Sequence, residues 1–309
     1  MTEQSRFDPT PGAAERIAPG LRLVLAPNPS PMTQRGTNTY LLGAGDVTVI
    51  DPGPDLAAHL GAILAALAPG ERIAQILVTH AHLDHAPLAR GLARETGAPV
   101  LAFGDAAAGR RAAPLPRGFD RGLGGGEGVD AAFVPDEALP DGAVIDTAAG
   151  PVTAIWTPGH FGNHLSFAWG DALFSGDLVM GWASSLISPP DGDLAAYMHS
   201  LERLAARGER VFYPGHGAPV TDPAARLAEL AHHRRQRGAE IAAALADGPQ
   251  TVADLTRRIY RDTPPALHRA ATRNVLAHLI EMADHGQVAA EPGGGASEGE
   301  ARYRLTRAR

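Results

Sequence analysis

Apolar positions along the first two thirds of the chain fall into short alternating or continuous runs, broken by Gly, Pro and Asp, with stretches of helical spacing between them. Residues 17–27, 39–43 and 47–50 read as strands separated by Gly-rich turns, and Asp51-Pro52-Gly53-Pro54 stops the last of them. Residues 56–67 have helical spacing, 73–78 predict a buried strand, Pro87 opens a helix over 88–95, and 99–103 form another strand. Residues 104–130, with Gly124-Gly125-Gly126 among them, predict a mobile surface insertion. Strand signals return at 143–146, 152–156, 165–169 and 172–175, followed by a helix over 193–206, a strand over 210–213 and a long helix over 223–246. Strands in both halves with interspersed helices imply two sheets covered by helices.

The pattern then changes. Thr251 caps a helix start, Pro264-Pro265 introduces a longer helix ending near Ala283, and residues 288–290 and 303–305 flank a Gly-rich tip. Helix, turn, helix and hairpin is the layout of a winged helix. The expected division is a first domain over residues 1–230 and a winged-helix domain over 231–309.

Composition narrows the chemistry. A chain of 309 residues with 44% hydrophobic and 20% charged residues has room for a sizeable core beside a small domain. There is no cysteine, so a metal site must be built from nitrogen and oxygen; there is no lysine, which excludes Schiff-base chemistry. The net charge of −7 hides 12 Arg against 9 carboxylates in residues 231–309, a weak hint of a nucleic-acid surface. The amino terminus has no apolar run of signal-peptide length and no membrane span follows, so the expected location is the cytoplasm, with no membrane partner.

One stretch gathers the chemistry. Thr79-His80-Ala81-His82-Leu83-Asp84-His85 follows a strand directly, and alternation lets His80 and His82 point the same way while Asp84 and His85 follow as the chain bends. Three more segments place a ligand-type residue after a strand and a glycine: Thr157-Pro158-Gly159-His160, Ser175-Gly176-Asp177 and Pro214-Gly215-His216. Seven donors then converge. One divalent ion takes His80, His82 and His160, a second takes Asp84, His85 and His216, and Asp177 can bridge because a carboxylate has two oxygens. Two such ions supply a bridging hydroxide as nucleophile, and Asp84 can also serve catalytically by passing a proton to the leaving group. Nitrogen and oxygen ligands suit Zn2+ first, with Mn or Fe as alternatives.

These four motifs, His80-Ala-His82-Leu-Asp84-His85, TPGH at 157–160, FSGD at 174–177 and YPGHG at 213–217, resemble those of the metallo-beta-lactamase fold in its dinuclear hydrolase form. The resemblance spans residues from about 16 to 220 and implies an α+β chain with an αββα sandwich of two mixed sheets, carrying two metals at a shared sheet edge. Asp51 matches that family's early aspartate, which holds the metal loop and is not a ligand. The stretch from Asn28 to Tyr40, with the C-terminal helix and winged domain, is similar to the beta-lactamase-like protein 2 subgroup. That likeness implies single-stranded RNA phosphodiester hydrolysis as the favoured activity, with thioester, lactone or other small-molecule ester or amide hydrolysis as the alternative. Phe161 stands where the family usually has threonine, which predicts a reshaped pocket wall.

Other residues are ambiguous by sequence. His164 reads as a supporting group beside the site rather than a ligand, and Thr37, Asn38 and Thr39 either contact substrate or build a turn. His232 and His233 predict a solvated helix face, and the three tryptophans predict core or pocket wall. Arg269 and Arg273 share one helical face and either touch phosphates or wall the cleft. A homodimer is the expected assembly. A reading from another class is a nucleic-acid-binding regulator that uses the winged helix.

Overall fold

Seven short strands rich in Leu, Val and Ile build the first sheet: β1 (Ala14–Ala18), β2 (Leu21–Leu25), β3 (Asn38–Leu42), β4 (Asp46–Ile50), β5 (Arg72–Leu77), β6 (Val100–Ala102) and β7 (Glu137–Ala138), side by side in that order. This computed structural model describes residues 7–119, 125–126, 128–291 and 301–306. The single strand read over 17–27 is in fact two, because Gly20 at φ +74° turns the chain between β1 and β2. β1 to β4 pair antiparallel, whereas β4 to β7 run parallel. Parallel pairing needs crossovers, and helices α1 (Ala57–Ala65) and α2 (Leu88–Thr96) supply the first two.

The second sheet contains β8 (Val144–Ile145), β9 (Val152–Trp156), β10 (Leu165–Trp169), β11 (Ala172–Gly176) and β12 (Val211–Pro214), in the order β12-β11-β10-β9-β8. Its one parallel pair, β11 with β12, is spanned by helix α3 (Leu194–Ala205). Between the sheets, Leu21, Leu23, Tyr40, Phe167 and Phe174 form one buried layer. Outside the first sheet, Ile63, Leu88 and Leu92 pack on Val49 and Ile76; outside the second, Tyr197, Leu201, Leu227 and Leu230 pack on Leu173 and Phe212. Each such side chain fully buried stabilises the fold by about 1.5–3 kcal/mol before entropy is counted. The result is the expected αββα sandwich.

Helix α4 (Pro223–Ala246) begins at the Asp222 cap, whose carboxylate accepts the Ala225 N–H at 3.0 Å. Its first half packs in the sandwich through Leu227 and Leu230, and its second half enters another core through Ile241, Ala244 and Leu245. That core belongs to the winged helix: β13 (Gln250–Thr251), α5 (Val252–Ile259), α6 (His268–Asp284), β14 (Val288–Ala290) and β15 (Arg302–Leu305). Thr251 and Asp254 form a capping box at the start of α5. The Gly-rich tip expected between β14 and β15 lies outside the described residues, as does Gly124.

The 104–130 segment departs from the expected free surface insertion. Phe119 is buried in the winged-helix core, 4.8 Å from the Tyr303 ring, and Arg111 pairs with Asp284 of α6 through contacts of 2.6 and 2.8 Å. At its other end Gly128 O accepts the Leu83 N–H at 2.7 Å and the Asp130 N–H reaches Ala81 O at 2.8 Å. Described parts of the segment therefore contact both the C-terminal unit and the His-rich loop. No helix among the described residues is long and apolar enough to cross a membrane.

Candidate metal centre

The strand ends set the site. Asp51 follows β4, residues 79–85 follow β5, His160 follows β9, Asp177 follows β11 and His216 follows β12, so both sheets deliver side chains to one edge. Two backbone bonds join the sheets there: Asn38 N–H to Gly215 O and Leu165 N–H to Thr79 O, each 2.8 Å. Glycine is required where the loops crowd. A Cβ on Gly215 would stand 2.5 Å from Asp177 Oδ1 and from His85 Cε1, and Gly176 adopts φ +48° with His164 against it.

The imidazoles converge. His82 Nδ1 lies 2.9 Å from His80 Nε2 and 3.0 Å from His160 Nε2. In the adjoining group, His216 Nε2 is 3.1 Å from Asp84 Oδ2 and 3.3 Å from His85 Nε2. Asp177 sits between the two, 3.7 Å from His160, 3.4 Å from His216 and 3.5 Å from His85. Donor atoms bound to one tetrahedral ion at about 2.0–2.1 Å are spaced about 3.3 Å apart, close to these separations. The groups His80-His82-His160 and Asp84-His85-His216 can each hold an ion, and His80-His85-Asp177 links them.

Hydrogen bonds behind the rings fix which nitrogen faces inward. His85 Nδ1–H donates to Asp51 Oδ2 at 2.9 Å, His160 Nδ1–H to Leu186 O at 2.6 Å and His216 Nδ1–H to Gly36 O at 3.1 Å. Thr79 Oγ1 donates its proton to Asp51 Oδ2 at 2.8 Å, so it accepts from His80 Nδ1–H at 2.9 Å. In these four residues Nε2 is left as the lone-pair donor. Asp51, at φ +50°, also accepts the Thr79 N–H at 2.7 Å through Oδ1, and so carries the metal loop without facing the site.

Charge divides the cluster. Burial, reinforced by neighbouring imidazoles, holds His80 well below its ordinary pKa and brings His82 down to about 3, so both keep the neutral ring a metal needs. Burial opposes charge on His216, yet Asp177 and Asp84 push it up to about 9; His85 is raised for the same reason by Asp84, Asp177 and Asp51. Burial also opposes the charge on Asp84 and Asp177, but the imidazoles of His85 and His216 outweigh it and hold both carboxyls down. This half of the site calls for a cation. Asp177 Oδ1 is moreover buried with no hydrogen-bond partner, an arrangement that costs about 1–3 kcal/mol unless something binds there. The donor set and this orphaned oxygen fit divalent ions.

A family model described as the metallo-beta-lactamase superfamily matches residues 32–216, more than half the chain. The chain belongs to the metallo-beta-lactamase superfamily. As a member of that superfamily it is a hydrolase. A second model, the beta-lactamase associated winged helix domain, matches residues 251–296. Among curated relatives, a beta-lactamase-like protein 2 homolog of Drosophila melanogaster is 30% identical over 89% of this chain and 92% of its own length. An atrochrysone carboxyl ACP thioesterase of Aspergillus chevalieri is 29% identical over 95% of this chain and 90% of its own. Among solved structures, a beta-lactamase domain protein from Burkholderia ambifaria superposes with a TM-score of 0.80 at 25% identity, covering 97% of both chains. A metallo-beta-lactamase family protein from Thermus thermophilus gives 0.74 at 28% identity, over 94% of this chain and 100% of that one.

Around this metallo-beta-lactamase centre the structure agrees with some expectations and corrects others. Thr37, Asn38 and Thr39 are fully buried and engaged internally, so none faces substrate: the Thr37 backbone and hydroxyl bond Asn28, Asn38 Nδ2 donates to Pro214 O and Gly217 O, and Thr39 Oγ1 bonds Asp51 O. Phe161 packs on the His82 ring at 4.8 Å and is buried, not a pocket wall. His233 is half-buried rather than solvated, because α4 continues into the winged-helix core. His164 stays out of the donor groups; its Nε2 accepts the Asp177 N–H at 3.2 Å and its Nδ1–H donates to Thr157 Oγ1 at 2.9 Å. Sequence reading missed Thr79, Gly36 O and Leu186 O, two of which are backbone groups with no side-chain signature. A cleft of about 750 Å³ lies over the site; Trp182, Arg269 and Arg273 line it, as one of their sequence readings allowed, while Met32, Leu83, Met180 and Leu267 were not foreseen there.

Proposed function

We propose that the protein hydrolyses an acyl ester or thioester with two divalent ions, Zn2+ foremost, His80, His82 and His160 holding one and Asp84, His85 and His216 the other, with Asp177 shared. Bound ions of this kind lower the pKa of a water to near neutrality and polarise a carbonyl. The protein supplies the rest. Asp84, with 28% of its side chain exposed, lines the cleft beside the buried His85 and His216, where its carboxylate can take the proton released by the attacking water and pass it to the departing group. The proposed division of labour is a hydrolytic unit over 1–230 and a winged unit over 231–309 that walls the cleft, the boundary falling inside α4.

The observation that carries the acyl reading is the cleft wall. Met32 and Leu83 are 44% and 52% exposed, unusual for large apolar side chains, and both line the cleft with Met180, Trp182 and Leu267. Such a surface suits an apolar acyl group more than a phosphodiester chain. Single-stranded RNA is the second reading, supported by Arg269 and Arg273 in the cleft lining and by the Trp182 and Tyr260 rings. Turnover of Zn2+-loaded protein on an acyl-CoA thioester, a lactone, a nitrocefin-type β-lactam and an RNA oligonucleotide decides between them. Thioester cleavage at least tenfold above the others in kcat/KM is expected; faster RNA cleavage would reverse the choice.

A further inference from the structure

A buried cation links the C-terminal unit to the candidate metal centre. Arg234, in the middle of α4, is 2% exposed and among the largest fully buried side chains. Its partners are neutral: Nη2 donates to Ser185 O, Nη1 donates to Asn274 Oδ1 at 3.2 Å, and the guanidinium lies 5.3 Å from the centroid of the Tyr197 ring. Its Nε has no hydrogen-bond partner. Burying a charge with incomplete bonding is expensive, and an apolar residue of similar volume would fill the same space at lower cost.

What Arg234 holds is a three-residue segment, 185–187, fixed at every polar group named here. Ser185 O receives Arg234, and the Ser185 hydroxyl reaches Asp177 O at 2.6 Å and Leu178 O at 2.8 Å. Leu186 O receives His160 Nδ1–H at 2.6 Å, and the Ile187 N–H donates to Asn274 Oδ1 at 3.0 Å. Asn274 lies on α6, so its amide oxygen collects one bond from Arg234 and one from the segment. Leu186 O is thus held between two anchors. It sets the tautomer and direction of His160.

We infer that Arg234 and Asn274 are positioning residues for the metal centre, acting through the Leu186 carbonyl on His160 and through Ser185 on the Asp177 backbone, so that the winged unit completes the site. This rests on the two-ion reading of the centre. Loss of a hydrogen bond that orients a ligating histidine weakens metal affinity by about 10- to 100-fold. Arg234→Met relieves the cost of burying a charge but leaves the Ser185 carbonyl without its donor, so the effect read is on metal affinity, which falls.

The test measures Zn2+ affinity by chelator competition, together with melting temperature, for the unaltered chain, Arg234→Met, Asn274→Ala and Leu230→Ala. The last removes sandwich packing from α4 without removing any hydrogen bond to residues 185–187. Arg234→Met and Asn274→Ala are expected to lower the affinity of one site by about 10- to 100-fold, and Leu230→Ala to lower the melting temperature with affinity unchanged. Unchanged affinity in Asn274→Ala, or equal losses in Leu230→Ala, would overturn the inference even if Arg234→Met did not fold. An unaltered chain that binds no Zn2+, Mn2+ or Fe2+ would instead overturn the two-ion reading.

Discussion

Three aspartates in the centre have the same chemistry and different surroundings. Asp51 is buried behind the loop and accepts bonds from Thr79 and His85; Asp177 lies between the two donor groups; Asp84 alone among them is substantially open to the cleft. Asp84→Ala or His82→Ala is expected to lower kcat by at least about 100-fold with an unchanged circular dichroism spectrum, since each removes a donor at the reacting end without removing core volume. Retained turnover in either variant would refute the mechanism. Asp51→Asn keeps the shape and tolerates the positive φ, but its amide nitrogen cannot accept both the Thr79 hydroxyl and His85 Nδ1–H. Metal affinity is expected to drop about 10- to 100-fold, measurable by chelator competition, with turnover recovering at saturating metal.

At the scale of elements, the centre depends on loops that leave strands at one edge and turn sharply. The β12 loop shows how little room remains: Gly215 O bonds the β3 strand while its missing side chain makes space for Asp177 and His85. Gly215→Ala forces those side chains or the backbone to move, at a cost of about 1–3 kcal/mol. The expected result is a lower melting temperature and a metal content below two ions per chain, measured by elemental analysis; full occupancy would show that the loop yields more easily than its packing implies. Within the insertion at 104–130, Arg111 contacts α6 and Gly128 the His-rich loop.

For the whole molecule, the long α4 helix joins two cores, and neutral imidazoles sit at the junction, His233 on α4 and His278 on α6. Burial brings His278 down to about 3 and His233 down to about 4, with the neighbouring arginines adding to the effect. The unfolded chain protonates these rings near their ordinary value of about 6.5, whereas the folded chain does not. Stability present above about pH 6.5 is therefore lost as pH falls toward about 4, by up to about 1.4 kcal/mol per pH unit for the buried His278 and by less for the half-buried His233, which solvent screens. Thermal melts in the presence of chelator should show this slope, and His278→Leu should flatten it. An identical slope in that variant would remove His278 from the account.

The order of strands and helices, the winged layout and the convergence of seven His and Asp side chains were legible because they rest on local rules: alternation, capping, and glycine before a His or Asp at a strand end. His80, His82, Asp84 and His85 are neighbours in the chain, so their convergence needed little tertiary information. The sequence by itself determined the reaction class through the type and spacing of these donors. Only the tertiary structure decided that Thr37, Asn38 and Thr39 are buried supports, that Phe119 and Arg111 engage the winged-helix unit, and that Arg234 reaches the Ser185 carbonyl beside the metal centre. The physical reason is that burial and backbone acceptors are set by contacts between distant segments. Leu186 O and Gly36 O orient His160 and His216 with groups every residue possesses, and only their placement gives them a role.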